Sequence, residues 1–568
     1  MNYRKEEMQQ TLKNLINAAV KRAVDENAIK AETIPEYNLE VPQDQNHGDF
    51  AANVAMLMAK EARMSPRKIG ELIAERIDFS GTDIVRIEVA GPGFLNFFLK
   101  PGWLNRQIFD ILESGPDYGR QDIGKGKKVQ VEFVSANPTG PMHMGNARGA
   151  ALGDSLSAVL EKAGFDVSKE FYINDAGNQI ENFGLSLEAR YLQLLGMDGC
   201  IPEGGYHGED IKELMRRLID EEGDRFLKMD SPSRRSYFIN YALEKNIRRM
   251  KHDLNDFGVR FDVWFSEQSL HDTGKVKEVI DILTQRGYTY EQDGAIWFKA
   301  SQFGATKDEV LIRNNGIPTY FASDIAYHKD KFDRGFEWVI DIWGADHHGH
   351  VQRMKGAMQA LGYDPENLTV IIMQLVKLYR NGELVKMSKR TGKSVSLSDI
   401  VEEVGKDASR FFFNLRSADT HLDFDLDLAI KKTEDNPVYY VQYAHARISS
   451  ILRQAEQLGV KLPECANISS EEMQSYSDVL KEREEIELIK KLADFPGEIR
   501  FAAEALSPYR ITAYSMELAS LFHSFYNKCR VLCDDDGTTN ARLLLSKAVQ
   551  LVLKNALDIL GINAPERM

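Results

Sequence analysis

Cysteine is scarce in this chain of 568 residues: only Cys200, Cys465, Cys529 and Cys533 occur. None belongs to a CxxC pair, which argues against a zinc ribbon or a disulfide framework. Cys529 and Cys533 are spaced for one helix face and read as small core residues. Long apolar runs are missing too. No uninterrupted stretch approaches the ~18 residues of a membrane span, and the opening MNYRKEEMQQTLKNL has no apolar core of signal-peptide length. A soluble cytoplasmic protein with no membrane partner is expected. Basic charge is not in excess: 71 Lys and Arg face 86 Asp and Glu, a net charge of −15. That excludes a basic coat for nucleic acid over the whole surface and confines any RNA contact to one face. Neither internal repeats nor low-complexity segments occur.

What is present is a globular balance, 43% hydrophobic and 28% charged, long enough for several cores of ~100–200 residues. Residues 1–25 show helical spacing, with Leu12, Leu15, Ile16 and Ala19 on one face. Helical spacing resumes over 49–60, while 84–87 and 93–99 read as strands, so a small α+β domain is placed at 1–115. From 116 to 430, short apolar runs alternate with helices: KEFYIND (169–175), WVIDIW (338–343) and TVIIMQ (369–374). The pattern predicts an α/β fold with a buried parallel sheet. Its charged, helical middle, about 185–300, reads as an insertion. From 431 to 568 the strands stop. Val441, Ala444, Ile448, Ile451 and Leu452 share a helical face, as do Leu544, Ala548, Leu551 and Leu560 ahead of Gly561.

The most informative stretch is 129–164. Val129, Val131 and Phe133 alternate with polar residues, the period of a strand. SANPTGP (135–141) then forbids regular structure, and HMGN (143–146) leads into a helix carrying Leu152, Leu156, Val159 and Leu160. A strand, a tight turn and a helix start make an anion site, because unpaired backbone N–H groups and the helix dipole point at the turn. His143 sits there, where its imidazole could donate to a phosphate. A second stretch, GELVKMSKRTG (382–392), puts two lysines and an arginine within five residues. Alone it reads as a solvated basic turn; its charge also suits a triphosphate losing pyrophosphate.

The pair HMGN (143–146) and KMSKR (386–390), in this order and after a strand, resembles the two signature motifs of class I aminoacyl-tRNA synthetases. Asn146 stands where that first motif usually has histidine; its amide can still donate. Within the class the resemblance is to the arginyl-tRNA synthetases, through VEFVSANPTG (131–140), YINDAGN (172–178), TYFASDIAYH (319–328) and YYVQYAHAR (439–447). It implies a Rossmann-type catalytic domain with an insertion, a small additional N-terminal domain and an all-helical anticodon-binding C-terminal domain. It also implies activation of L-arginine with ATP and Mg²⁺ and transfer to tRNA(Arg), by an enzyme we expect to be a monomer.

Residue roles follow from the same resemblance. His143, Asn146, Lys386 and Lys389 are the expected catalytic group. Gly140, Gly145, Gly344, Asp346, His350 and Ser388 are expected to join them around ATP. The arginine pocket is expected to hold Glu132, Asn137, Tyr320 and Asp324, with the two carboxylates matching a guanidinium's fork of donors. For GADHHGH (344–350) a metal site on His347, His348 and His350 is the rival reading. The likeness to the GxDxxxH pattern instead places Gly344 and Asp346 at the ribose, and no metal is expected. Phe94 and Asn96 resemble the aromatic and amide pair that grips the tRNA D-loop. Lys245, Arg248, Arg249 and Lys251 read first as a solvated helix face.

Overall fold

The computed structural model describes residues 4–42, 47–100, 102–385, 395–463 and 468–568. The chain opens with α1 (Arg4–Asp25), whose Leu12, Ile16 and Ala19 are fully buried. An antiparallel sheet follows, in the order β1 (Leu39–Glu40), β2 (Phe50–Ala52), β4 (Phe94–Leu99), β3 (Ile84–Ala90). Between β2 and β3 run α2 (Val54–Ala62) and α3 (Pro66–Ala74). Residues 50–52, expected to be helical, are the strand β2: all three are buried between β1 and β4, and helical spacing holds only from Val54. Leu95, Phe97 and Leu99 enter the domain's core, so Phe94, Asn96 and Phe98 take the opposite face. The next helix, α4 (Gln107–Ser114), packs on C-terminal helices. Asn105 donates to the carbonyls of Ser477 and Leu480, and the Tyr118 hydroxyl to that of Leu492.

The central domain is built on β5 (Lys128–Glu132), α5 (Met144–Lys162), β6 (Asp166–Ile173) and three long helices, α6 (Asn178–Leu194), α7 (Glu209–Glu222) and α8 (Ser231–Asp256). Then come β7 (Val263–Ser266), α9 (Gln268–Asp272), α10 (Lys275–Gln285) and a small antiparallel sheet of β8 (Thr289–Gln292), β9 (Ala295–Phe298) and β10 (Glu309–Ile312). α11 (Tyr320–Asp333), β11 (Trp338–Gly344), α12 (Val351–Ala360) and β12 (Leu368–Met373) complete it. The main sheet is parallel throughout, in the order β12-β11-β5-β6-β7. Numbered by chain order its strands read 3-2-1-4-5 from β7 to β12, the doubly wound Rossmann order. Its topological switch lies between β5 and β11.

The stretch expected as one insertion resolves into two. The helices α6, α7 and α8 close around their own core of Phe183, Leu187, Tyr191, Met215, Phe226 and Phe238. β7, inside the same stretch, is an edge strand of the main sheet, and β8 to β10 form the second excursion. Beyond β12 lie β13 (Val376–Arg380), β14 (Glu383–Val385), α13 (Leu397–Val404), α14 (Lys406–Phe413), β15 (Leu422–Asp425) and α15 (Leu426–Ile430). The C-terminal domain is helical: α16 (Pro437–Gln457), α17 (Ser470–Val479), α18 (Arg483–Glu504), α19 (Tyr509–Lys528) and α20 (Asp536–Ile559). No helix among the described residues is long and apolar enough to cross a membrane.

A buried ionic network fixes α11 to the sheet. The Lys331 ammonium donates to Glu132 of β5 (2.5 Å) and to Asp341 of β11 (2.7 Å). Burial alone would discharge the lysine, but the fields of Asp341 and Glu132 outweigh it and hold Lys331 above its ordinary value. Burial likewise opposes ionisation of Asp341, and Lys331 with His328 holds it down at about 2. The His328 ring lies between the Asp341 carboxylate and the Asp324 carbonyl, each 2.8 Å away. Both are acceptors, so both ring nitrogens carry protons. Removing one side of a buried pair strands the other, which costs about 3–5 kcal/mol. Lys331→Met should therefore destabilise the catalytic domain by that amount. Denaturation of the variant at the wild-type midpoint would contradict the network's structural role.

Candidate active site

The residues singled out by the sequence converge where the parallel strands end. A cavity of about 1040 Å³ is lined by Asn137, Gly140, His143, Gly145 and Asn146 from the segment after β5, and by Gly344 and Asp346 after β11. That is the switch point, where open parallel sheets place their ligands. The volume is at the upper end of ligand pockets and exceeds what one amino acid needs. The same wall includes Asn174 and Gln179 after β6, and Gln374 and Leu375 after β12, none of which sequence reasoning singled out. Asn174 Oδ1 and Gln179 Oε1 are buried acceptors with no hydrogen-bond donor among the described residues.

The first wall begins with a strained kink. Val134 and Ser135 have φ of 70° and 38°, left-handed values that a β-branched residue rarely takes. The Ser135 hydroxyl holds the kink, donating to Glu132 (2.8 Å) and accepting from the Tyr172 amide (3.2 Å). The chain then reaches His143, the N-cap of α5. Its Nδ1 accepts from the Gly145 amide (3.1 Å), which leaves the proton on Nε2. Burial pulls the imidazole below its ordinary pKa, so it stays neutral near pH 7. Asn146 closes the capping box with its oxygen, accepting from the His143 amide (3.0 Å). This commits the amide's Oδ1 and leaves Nδ2 as its donor. α5 meets β5 so closely that a Cβ at Gly153 would lie 2.2 Å from the Phe133 ring.

Across the cavity, Gly344 ends β11. A Cβ there would stand 2.7 Å from Asp346 Oδ1, so a larger residue would make this exposed carboxylate turn away from the strand end. The three nearby imidazoles diverge. His347 and His348 are exposed, while His350 Nε2 reaches the Asp324 carboxylate (2.8 Å). Among the described residues no group of His, Cys, Asp or Glu is arranged to hold a metal ion.

Asp324 has an acidic neighbour that the sequence did not reveal. A third of its side chain is exposed. Burial works to raise its carboxyl, but the His350 hydrogen bond and the charges of His328 and Lys331 outweigh it and hold Asp324 below its ordinary value. Glu267, just after β7, is buried, and burial with the repulsion of Asp324 pushes it up to about 7. The hydroxyls of Tyr172 and Ser323 oppose that rise, and the Ser323 hydroxyl lies 3.2 Å from His271 Nε2. Asp175 fixes the Glu267 backbone by accepting from the Ser266 hydroxyl (2.6 Å) and the Gln268 amide (2.9 Å). Tyr320 opens α11 one turn ahead of Asp324, with its ring against Gly177. A carboxylate raised by the charge of a neighbouring carboxylate favours a cation beside the pair.

The remaining expected residues lie elsewhere. Glu132 was expected beside a bound guanidinium; its carboxylate is instead taken by Lys331 and Ser135 inside the sheet. Phe94 is half-buried and Asn96 almost fully buried. Lys245 pairs with Glu221, Arg248 with Glu244, and Arg249 with Asp253, the pattern of a solvated face. Lys386, Ser388 and Lys389 lie outside the described residues.

Comparison with known proteins agrees across the whole chain. Residues 107–416 match the family model for tRNA synthetases class I (R), catalytic domain. Residues 10–99 match the arginyl tRNA synthetase N terminal domain, and 441–568 the DALR anticodon binding domain. The arginine–tRNA ligase of Caldanaerobacter subterraneus subsp. tengcongensis is 59% identical over 558 residues, covering 98% of both chains. That of Desulforamulus reducens is 56% identical over 563 residues, covering 99% of both. Among solved structures, a putative arginyl-tRNA synthetase from Campylobacter jejuni superposes with a TM-score of 0.74 at 36% identity, covering 83% of this chain and all of the other. The Thermus thermophilus arginyl-tRNA synthetase shares the fold, with a TM-score of 0.71 at 22% identity, covering 98% of this chain and 100% of that one.

The hydrogen bonds around two histidines dictate different protonation states. Long-range ¹H–¹⁵N spectra at pH 7 should show His143 as the neutral Nε2–H tautomer and His328 with both nitrogens protonated. A neutral His328 signal would contradict the network under α11.

Proposed function

The chain belongs to the class I arginyl-tRNA synthetases, and from that premise we propose how its residues divide the work. The enzyme joins L-arginine to tRNA: it activates arginine with ATP to arginyl-adenylate, releasing pyrophosphate, then transfers the arginyl group to the tRNA's 3′-terminal adenosine. The observation that carries the residue assignment is the convergence of four strand ends, those of β5, β6, β11 and β12, on one cavity, with Glu267 raised by the nearby charge of Asp324.

Arginine's guanidinium would lie between Asp324 and Glu267, with Tyr320 at the rim. Planar charge-assisted hydrogen bonds from two directions select a guanidinium over an ammonium, which cannot fill both forks. We assign the second carboxylate to Glu267 in place of Glu132, because Glu132 is already neutralised by Lys331. The α-ammonium would find the unpaired oxygens of Asn174 and Gln179 with Asn137 beside them. ATP would lie over the α5 N-terminus. His143 Nε2–H and Asn146 Nδ2 would donate to phosphate oxygens, Gly140 and Gly145 would admit them, and Gly344 with Asp346 would meet the ribose. His350, expected at the nucleotide, would instead serve the arginine side by orienting the Asp324 carboxylate. Lys386, Ser388 and Lys389 would follow the departing pyrophosphate.

No protein nucleophile is needed. Arginine's own carboxylate attacks the α-phosphorus, and the protein supplies alignment and charge neutralisation. Mg²⁺ would arrive with the triphosphate: the cavity wall offers one carboxylate, Asp346, and Mg²⁺ is commonly held by one or two carboxylates plus phosphate oxygens. We assign Phe94 and Asn96, on the sheet face turned from the N-terminal core, to the tRNA. We further propose that the enzyme acts as a cytoplasmic monomer, as the family resemblance led us to expect.

The raised Glu267 gives this assignment a pH signature. Below about pH 7 its carboxyl holds a proton that a guanidinium must expel. Arginine affinity should therefore weaken as pH falls from 8 to 6, by up to about tenfold per pH unit. Glu267→Gln should flatten that dependence. Asp324→Asn should raise the arginine KM by the equivalent of about 3–5 kcal/mol, leaving the ATP KM nearly unchanged. Titrations of arginine and ATP across pH distinguish the cases. An arginine affinity independent of pH in the wild type, or an Asp324 variant impaired for ATP alone, would overturn the assignment.

A further inference from the structure

Arg148 lies on the second turn of α5, two residues beyond Asn146, and its side chain is fully buried. No described carboxylate pairs with it directly. Its guanidinium spends its donors on three backbone carbonyls: Nη1 on Gln374 (2.6 Å), Nη2 on Ser417 (2.8 Å) and Thr420 (2.9 Å). Its Nε is buried, with no partner among the described residues. Burial pulls the group down to about 10, against the pull of Asp419. A buried cation served only by carbonyls is costly, and an apolar side chain of the same volume would avoid that cost. The placement of those carbonyls accounts for its presence.

Gln374 and Leu375 form the cavity wall after β12. They join the 417–420 turn through the Gln374 amide, which donates to the Ala418 carbonyl (2.9 Å), and through the Leu422 amide on Leu375 (3.3 Å). The exposed Asp419 holds that turn, accepting from the Ser417 hydroxyl (2.5 Å) and the Thr420 hydroxyl (3.5 Å). Arg148 thus binds α5, the β12 end and the 417–420 turn together. A guanidinium can do this because its planar fork serves acceptors in divergent directions, which an ammonium on a flexible stem does not.

We propose that Arg148 is a positioning residue for the nucleotide: it sets the separation between the His143–Asn146 turn and the opposite wall at Gln374 and Leu375. The proposal rests on the assignment of that cavity to ATP. The carboxylates assigned to the guanidinium lie on α11 and just after β7, and Arg148 makes no hydrogen bond to either element.

Two variants of the full chain test it, Arg148→Lys and the exposed Asp419→Asn, assayed by tRNA charging with ATP and arginine varied separately. For Arg148→Lys the ATP KM should rise and kcat fall, together by up to about 10²-fold, the scale of an ångström misplacement. The arginine KM should stay within about twofold, a split that general loss of structure would not produce. Asp419→Asn should shift the ATP KM in the same direction, less far. Unchanged ATP kinetics in both variants, or ATP and arginine KM rising together, would overturn the proposal. If Arg148→Lys fails to fold, Asp419→Asn decides by the same criterion. Failure of the wild type to use ATP would instead sink the cavity assignment itself.

Discussion

The ammonium of Lys331 is the contact on which the site's geometry depends. It joins three elements, α11, β5 and β11, at a depth where none of the charges meets water. Each carboxylate it binds has a second duty. Asp341 holds His328, whose other nitrogen holds the backbone of Asp324. Glu132 holds Ser135, and through it the left-handed kink that turns the chain toward His143. One buried cation thereby orients both the carboxylate meant for a guanidinium and the turn meant for phosphate. Such a network is costly in desolvation, and a hydrophobic substitute of the three groups together could be as stable. What a substitute could not do is fix α11 against two strands in one register.

The two halves of the site differ in kind. On the side we assign to phosphate, the described residues offer backbone N–H groups, a neutral imidazole and a carboxamide, hydrogen bonds without a fixed charge of their own. On the side we assign to arginine, burial and the repulsion of Asp324 push Glu267 up to about 7, while Asp324 itself stays below its ordinary value. Such repulsion is stored until a cation arrives, and it is relieved by that cation alone. An enzyme that must reject nineteen other amino acids gains discrimination from it, because a ligand without the charge leaves the carboxylates opposed.

Much of this was legible in the sequence, for physical reasons that differ by residue. His143, Gly145 and Asn146 could be placed because a strand, a proline-broken turn and a helix start are local features. Gly344 and Asp346 follow a strand with an unmistakable apolar period. Asp324 needed the family likeness, since a lone aspartate in a helix's first turns looks like any other. Glu132 misled because a strand glutamate carries no mark of its partner, here 199 residues away. Glu267 was hidden for the opposite reason: β7 has four residues, all half-buried, so its end could not be recognised within a charged helical stretch. Phe50 to Ala52 failed similarly, three buried residues being too few to show a period of two. The cationic segment at 386–390 falls outside the described residues, so its approach to His143 stays an expectation of the sequence.

The central claim is that the guanidinium's partners are Asp324 and Glu267 while Glu132 stays locked on Lys331. A crystal structure of the enzyme with L-arginine or a non-hydrolysable arginyl-adenylate analogue reads this directly. The account predicts guanidinium nitrogens at hydrogen-bond distance, ~2.7–3.1 Å, from both Asp324 and Glu267, with the Lys331–Glu132 contact unbroken. A guanidinium bound to Glu132, or one leaving Glu267 unpaired, would contradict it.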